Sequence, residues 1–439
     1  MSFKIKRSVF LVGLIITIFV FTTVINLPKK NYLLNNKSNE AFDLLIKQNG
    51  PYTPEGIRLT VINDSSNSMI ITWYTADSAS DPRVVYSIDP SLIDNKTVIP
   101  TSKNIDGTYI YNANLNNLES NKTYYYQVSS DPVNEREIVS FTTTPLYNSS
   151  KIKFMIMGDS RTQREPRREI VQKVNNNFND INFFIHTGDI VEDGRIQSQW
   201  NNYFSDVENL TKSIPGYYIE GNHEYTNGYM YDNLPLPSNG LNSYYYNFSI
   251  GPVNFIGLNT ERNIPIQTNW LENVLNKTHH NNDTLWNFAY MHQPIFNSIS
   301  NRPDRSDLIT SWCPIFEKYD VDLIFAGHNH YYERSYPMNR LKQYNDSSSY
   351  NFKNSSDPMY IITGGAGAPL YVRDTNPSYA PFYNSTYHFV IIEIDTDINN
   401  NETTLTLETW AMPNDYIGIY LIDNMTIVKD IIKNSISEP

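Results

Sequence analysis

The stretch FAGHNHYYERS, Phe325 to Ser335, decides how this chain is read. It closes the apolar run VDLIFAG and sets His328 and His330, two of only 8 histidines in 439 residues, where a strand gives way to a loop. Four other apolar runs upstream reach polar groups of the same kind. KIKFMIMGDS leads to Asp159, DINFFIHTGDI to Asp189, GYYIEGNHE to Asn222 and His223, and LWNFAYMHQP to His292. The helical patterns RREIVQKVNNNF and QWNNYFSDVENLTK separate the first three strands, a βαβ rhythm that builds a parallel sheet with helices on its faces. In open sheets of this kind the carboxyl ends of the strands line one crevice. Asp159, Asp189, Asn222, His292, His328 and His330 are therefore expected to converge although far apart in sequence. A glycine stands before four of the five strand ends, where the backbone has to turn sharply and come close to a ligand.

Each of these residues alone has a plainer explanation. An aspartate after a strand commonly caps the next helix, and a single buried histidine is more often a satisfied core residue than a ligand. Capping does not account for imidazoles and carboxylates together at five strand ends of one domain. Carboxylate and amide oxygens combined with imidazole nitrogens suit Zn, Mn or Fe, and a carboxylate can bridge two such ions.

The rest of the chain divides around this region. Residues 51–146 carry short β-rich runs, GIRLTVIN, SMIITWYT, RVVYSID, TYIYNANL, KTYYYQVSS and EIVSFTTTP, with Asn, Asp, Ser and Pro turns about every ten residues. That spacing predicts an all-β sandwich with Trp73 in its core. LNNLESNKTYYYQV resembles the tyrosine strand and preceding leucine of fibronectin type III-like modules. Residues 151–432 form the α/β domain, whose tail, MYIITGGAGAP, HFVIIEID, TLTLETWAM and IYLIDNMTIV, reads as further strands. QYNDSSSYNFKNSSD is expected to be a polar surface loop, THHNND an exposed loop, and His186 and His388 core or supporting positions.

Composition sets the class. Apolar residues make up 40% and aromatics 13% of the chain, enough to build a sizeable core, and the net charge of -12 opposes binding to nucleic acid. Lys4, Lys6 and Arg7 precede an uncharged stretch from Val9 to Leu27, long enough to cross a bilayer and lacking a convincing cleavage site. Residues 1–30 are thus read as a signal anchor, giving single-pass membrane anchorage, in preference to a signal peptide; residues 31–50 are a linker. Asn-x-Ser/Thr acceptors, among them Asn63, Asn95, Asn121, Asn209, Asn276 and Asn424, agree with a secretory glycoprotein that is extracellular, on the cell surface or in the lysosomal lumen. Cys313 is the only cysteine, so no internal disulfide forms, and its apolar setting predicts a buried thiol.

In order along the chain, GDS, GDIV, GNHE, MHQP and GHNHYYERS resemble the calcineurin-like metallophosphoesterase superfamily, within it the purple acid phosphatase branch, whose members also carry a fibronectin-like N-terminal domain. The resemblance implies a four-layer αββα sandwich, metal-dependent hydrolysis of phosphate esters, and a centre of two metal ions, Fe, Zn or Mn. Motif by motif it implies that Asp159, Asp189 and His330 hold one ion, and that Asp189, as the bridge, holds the other with Asn222, His292 and His328. His223 would give a proton to the leaving oxygen. Two ions lower the pKa of a bound water and clamp the phosphoryl oxygens, and imidazole titrates close to working pH.

Two positions depart from the pattern. Where the purple branch has the tyrosine of GDxxY, this chain has Glu192, so the ferric tyrosinate colour is not expected. Where other superfamily members have the histidine of DxH, it has Arg161. Either Glu192 or water completes the first ion's ligands, or that ion is weakly held. Arg161 is expected to contact substrate phosphate bidentately; Arg302, where the purple branch has substrate-facing histidines, is a weaker candidate. The expected activity is that of an acid-phosphatase-type monoesterase. A phosphodiesterase or nucleotide pyrophosphatase, and a non-catalytic binding glycoprotein with a vestigial centre, are the alternatives.

Overall fold

The turn-punctuated runs of the first domain form eight strands: β1 (Glu55–Thr60), β2 (Met69–Thr75), β3 (Arg83–Ser87), β4 (Lys96–Val98), β5 (Thr101–Ile105), β6 (Thr108–Leu115), β7 (Thr123–Ser129) and β8 (Val139–Thr142). They make two 4-stranded sheets, ordered β1-β2-β6-β5 and β4-β3-β7-β8. The alternation TYYYQVS in β7 buries every second side chain, as a half-covered strand requires. Trp73 is fully buried and stacks on its cross-strand partner Tyr111 at 5.3 Å. Behind buried Leu118, the Tyr124 hydroxyl accepts a hydrogen bond from Glu119 N at 2.9 Å and pins the turn into β7.

The computed structural model describes residues 50–145, 151–281, 283–344, 351–353 and 357–431. The anchor or signal segment, and the linker up to residue 49, lie outside the described residues. Among the described residues no helix is long and apolar enough to cross a membrane.

The second domain runs β9 (Lys151–Met157), α1 (Arg164–Asn177), β10 (Phe183–His186), α2 (Gln197–Thr211), β11 (Gly216–Tyr218), α3 (Met230–Asn233), β12 (Tyr246–Ile250), β13 (Val253–Gly257) and α4 (Ile264–His279). It continues with β14 (Trp286–Met291), α5 (Ser306–Ser311), α6 (Cys313–Lys318), β15 (Leu323–Ala326), β16 (Tyr332–Arg334), β17 (Asn351–Lys353) and β18 (Met359–Thr363). β19 (Phe382–Asn384), β20 (Tyr387–Asp397), β21 (Glu402–Met412) and β22 (Tyr420–Asp430) complete it. Two 7-stranded sheets result, ordered β11-β10-β9-β20-β21-β22-β17 and β12-β13-β14-β15-β18-β16-β19. The strands β9 to β11, and β13, β14, β15 and β18, are parallel. Strand β14 is buried along its whole length, which explains its continuous apolar reading.

Period-two alternation assigns the layers. Phe255 and Phe288 of the second sheet meet Phe154 and Phe183 of the first, with ring centroids 5.1 Å apart for Phe154–Phe255 and 5.2 Å for Phe183–Phe255. Such ring pairs add roughly 1 kcal/mol each beyond the area they bury. The alternate residues Ile256, Ala289 and Ile324 join Leu271, Leu275 and Phe316 of the helices, and Trp312 between α5 and α6, in a separate core. The architecture is therefore αββα, preceded by an all-β sandwich.

Helix α2 locks the two domains together. Its Glu208 carboxylate accepts from Gly56 N at 2.7 Å and pairs with Arg136, and Thr211 Oγ1 donates to Ile57 O at 2.9 Å. Arg58, fully buried, lies over the Phe204 ring at 3.8 Å and donates from Nε to Asn233 O at 2.9 Å. Burial pulls its guanidinium down to about 9. Gly56, at φ +60°, allows this approach: a Cβ there would stand 2.8 Å from that of Phe204.

Three local readings are corrected. The polar insert is not loop throughout, because Asn351–Lys353 pair in parallel with β22 as an edge strand. PIFEKY, whose pattern reads as the end of one helix between β14 and β15, instead closes the second of two short helices broken at Trp312, with Pro314 in its first turn. His279 is the last residue of α4 rather than a loop residue, though it and His280 are exposed. Cys313 is buried and accepts a contact from the Tyr360 hydroxyl at 3.6 Å; burial pushes its thiol up to about 12.

Candidate metal centre

The first sheet delivers Asp159, Asp189, Asn222 and His223 past the ends of β9, β10 and β11; the second delivers His292, His328 and His330 past β14 and β15. The backbone bends needed to aim them are unusual. Asp159, Asp189 and His328 have φ of 56°, 53° and 66°, in the left-handed region that side chains other than glycine's rarely adopt. Gly327 and Gly221 leave room for the approach, since a Cβ on either would stand 2.4 Å from Asp159 Oδ2 or Asp189 N respectively.

The donor atoms converge. His292 Nδ1 donates to Thr187 O at 2.9 Å, which turns Nε2 toward Asp189 Oδ1 at 3.2 Å, Asn222 Oδ1 at 3.0 Å and His328 Nδ1 at 3.3 Å. His328 Nδ1 is 3.0 Å from the same Asn222 oxygen. His330 Nδ1 donates to Pro369 O at 2.6 Å, leaving Nε2 3.4 Å from Asp159 Oδ1. That Oδ1 is buried without a hydrogen-bond partner, while Oδ2 accepts from His328 N at 2.8 Å. Ligand atoms of Asp159, Asp189 and His292 all lie within 4.8 Å of one another.

This donor set fits a metal ion. A carboxylate oxygen, an amide oxygen and two ring nitrogens face one another with at most one proton to share. Burial would lower the His292 pKa, but Asp189 and Asp159 outweigh it and lift the ring to about 9. Burial, with His292 and Arg302, drives His328 down to about 2, so its ring is neutral. Ring nitrogens tied to backbone carbonyls on their far side are oriented as metal-bound imidazoles are.

Supporting residues hold the loops. Glu224 accepts from Asp189 N, Ile190 N and Gly221 N, each at 2.8 Å, and from Val191 N at 3.2 Å, so one carboxylate bolts two ligand loops together. Burial and Asp189 push this carboxyl up to about 8, against the pull of those N–H groups. His186 accepts from Gly188 N at 3.2 Å and is 2.9 Å from the Ser160 hydroxyl, joining the Asp159 and Asp189 turns. Tyr371 stacks on His330 at 4.0 Å. Glu224 and Tyr371 were not singled out from sequence; the Glu that ends GNHE was a usable signal, whereas Tyr371 carried none.

His223 Nδ1 donates to Glu192 O at 2.6 Å, and its Nε2 lies 3.9 Å from Asp189 Oδ2, facing the cleft with 22% of the side chain exposed. Arg161 is also in the cleft, 12% exposed, but its Nε is 3.2 Å from Asp189 Oδ2 and Nη1 is 2.7 Å from Glu192 Oε2. Glu192 turns to Arg161 and the Thr162 hydroxyl. Arg302 lies with its guanidinium 4.9 Å over the Tyr371 ring and donates to His328 O at 3.2 Å and Asn329 Oδ1 at 2.8 Å. Among the described residues no carboxylate pairs with it.

Comparison with known proteins agrees with this geometry. Residues 152–332 match the calcineurin-like phosphoesterase family, and residues 54–143 match the purple acid phosphatase N-terminal domain. The chain thus carries a calcineurin-like phosphoesterase domain behind a purple acid phosphatase N-terminal domain, and is a hydrolase. It is 25% identical over 366 residues to Purple acid phosphatase 5 of Arabidopsis thaliana, covering 79% of this chain and 88% of that protein. It is 25% identical over 414 residues to Acid phosphatase type 7 of Danio rerio, covering 83% and 89%. A purple acid phosphatase structure from yellow lupin seeds superposes with a TM-score of 0.72 at 20% identity, covering 87% of this chain and 75% of that one.

Proposed function

We propose that this protein hydrolyses phosphate monoesters, in the manner of an acid phosphatase, at a two-ion centre. The observation that carries the reading is the meeting of His292, His328, Asn222 and Asp189 beside the unpartnered Asp159 Oδ1. Asp159, Asp189 and His330 would hold one ion, and Asp189, Asn222, His292 and His328 the other. When bound, Fe, Zn or Mn ions supply a hydroxide near neutral pH and neutralise charge on the phosphoryl oxygens.

The chain's own residues do the rest. With Nδ1–H of His223 bonded to Glu192 O, Nε2 is the nitrogen that faces the cleft, and it carries a proton there in the imidazolium form. As the bond from phosphorus to the leaving oxygen breaks, that proton passes to the oxygen. Arg302, held only by neutral acceptors, presents uncompensated charge to the phosphate. Arg161 keeps Nη2 free of a partner among the described residues, so its guanidinium too can reach a phosphoryl oxygen.

A phosphate ester is thus the proposed partner; the net charge of -12 gives nucleic acid no comparable surface. Exposed acceptor asparagines at 63, 95, 121, 209, 276 and 424 support a secretory location, with the Val9–Leu27 stretch as anchor or signal. A mass shift on endoglycosidase treatment tests that part.

The activity is tested with p-nitrophenyl phosphate against its bis ester, with elemental analysis of the same protein. Asp189→Asn should lose bound metal and about 10^3-fold in kcat on the monoester. Full turnover by metal-free protein, or a strong preference for the bis ester, would overturn the reading.

A further inference from the structure

We infer that the two ion positions differ in affinity, and that the Arg161 guanidinium occupies part of the place of the more weakly held ion. The inference rests on the two-ion reading and concerns what this chain does to it.

Asp189 would have to serve both positions, and its two oxygens are already divided. Oδ1 faces His292 Nε2 at 3.2 Å and accepts from His223 N at 3.0 Å. Oδ2 accepts from Arg161 Nε at 3.2 Å. One position therefore has four candidate donors, Asp189 Oδ1, Asn222 Oδ1, His292 Nε2 and His328 Nδ1. The other has Asp159 Oδ1 and His330 Nε2, 3.4 Å apart, with the bridging oxygen occupied by a cation.

The side chain that could fill the gap is turned away from it. Glu192 bonds Arg161 Nη1 at 2.7 Å and the Thr162 hydroxyl, so its charge is spent on the arginine. A fixed positive charge on the shared oxygen also repels an incoming divalent ion at a few ångströms. The buried, unpartnered Asp159 Oδ1 still calls for a cation, so this position is weak rather than lost. The protein then carries one firmly bound ion, and fills the second only when Arg161 gives up Asp189.

The test is equilibrium dialysis of the full-length chain against buffered free zinc, with zinc and protein measured in the same samples. Wild-type protein should bind in two steps, with midpoints separated at least tenfold. Arg161→His, which exchanges the cation for a nitrogen donor, and Arg161→Ala should move the second step to lower free zinc and leave the first in place. Two ions taken up in one step by wild type would overturn the inference while leaving the proposed function standing, as would an unmoved second step in folded variants. No zinc uptake at any concentration would overturn both.

Discussion

Nε2 of His292 lies 3.2 Å from Oδ1 of Asp189, with the far side of the ring fixed by Thr187 O. A proton can satisfy that pair, but not also the Asn222 oxygen and the His328 nitrogen that crowd the same point. A metal ion satisfies them all, so removing it should loosen the fold. Chelation is expected to lower Tm by several degrees, since a ligand present at a thousand times its Kd stabilises by about 4 kcal/mol. The shift should vanish in Asp189→Asn; a scan unaltered by chelator would refute it.

On the proposed reading His223 protonates the leaving oxygen, so its removal should matter most where that group is poor. His223→Ala is expected to lower kcat on alkyl phosphates by about 10^2- to 10^3-fold. The loss on p-nitrophenyl phosphate, whose phenolate departs unaided, should be much smaller, and metal content should be unchanged. Equal losses on both substrates would assign His223 some other task.

Arg302 has no acidic partner among the described residues, and its position over Tyr371 fixes it beside His330. Arg302→Ala should raise KM for a phosphate monoester about tenfold, with inorganic phosphate weakened as an inhibitor to the same degree. A fall in kcat alone would argue for a role in holding the His328 loop instead.

Acid should destabilise the fold through two neutral rings outside the metal ligands. Burial lowers His186 to about 3 and His388 to about 4, from an ordinary 6.5. The unfolded chain takes up protons below 6.5 that the folded rings refuse. Stability present above pH 6.5 therefore drains away as pH falls toward 4, by on the order of 3 kcal/mol per ring. His388→Gln should flatten the dependence of Tm on pH between 6.5 and 4.5; an unchanged slope would count against it.

The sequence disclosed the centre better than its surroundings, for a physical reason. Asp159, Asp189, Asn222 and His328 announce themselves because an apolar run, a glycine and a polar residue coincide where a buried strand reaches the crevice, and His292 because an apolar run ends on it. That the two sheets face each other follows from alternation only once Phe255 and Ile256 are known to point to opposite cores; the resemblance, not the spacing, supplied the αββα expectation. Glu224 acts through backbone N–H groups, so only its place at the end of GNHE marks it, and Tyr371, stacked from a loop without periodicity, leaves no pattern. Strand β17 was hidden because Asn351–Lys353 owe their conformation to pairing with β22 rather than to their own composition. The grip of α2 on the sandwich was equally invisible, since Arg58 and Gly56 read as ordinary strand residues.

The left-handed bends at Asp159, Asp189 and His328 put strained backbone at three of the strand ends that meet in the cleft. Such turns persist only where their surroundings over-determine them, so Glu224 and His186, which tie the Asp159, Asp189 and Gly221 turns together, keep the aim of the candidate donors as much as the donors' own side chains do.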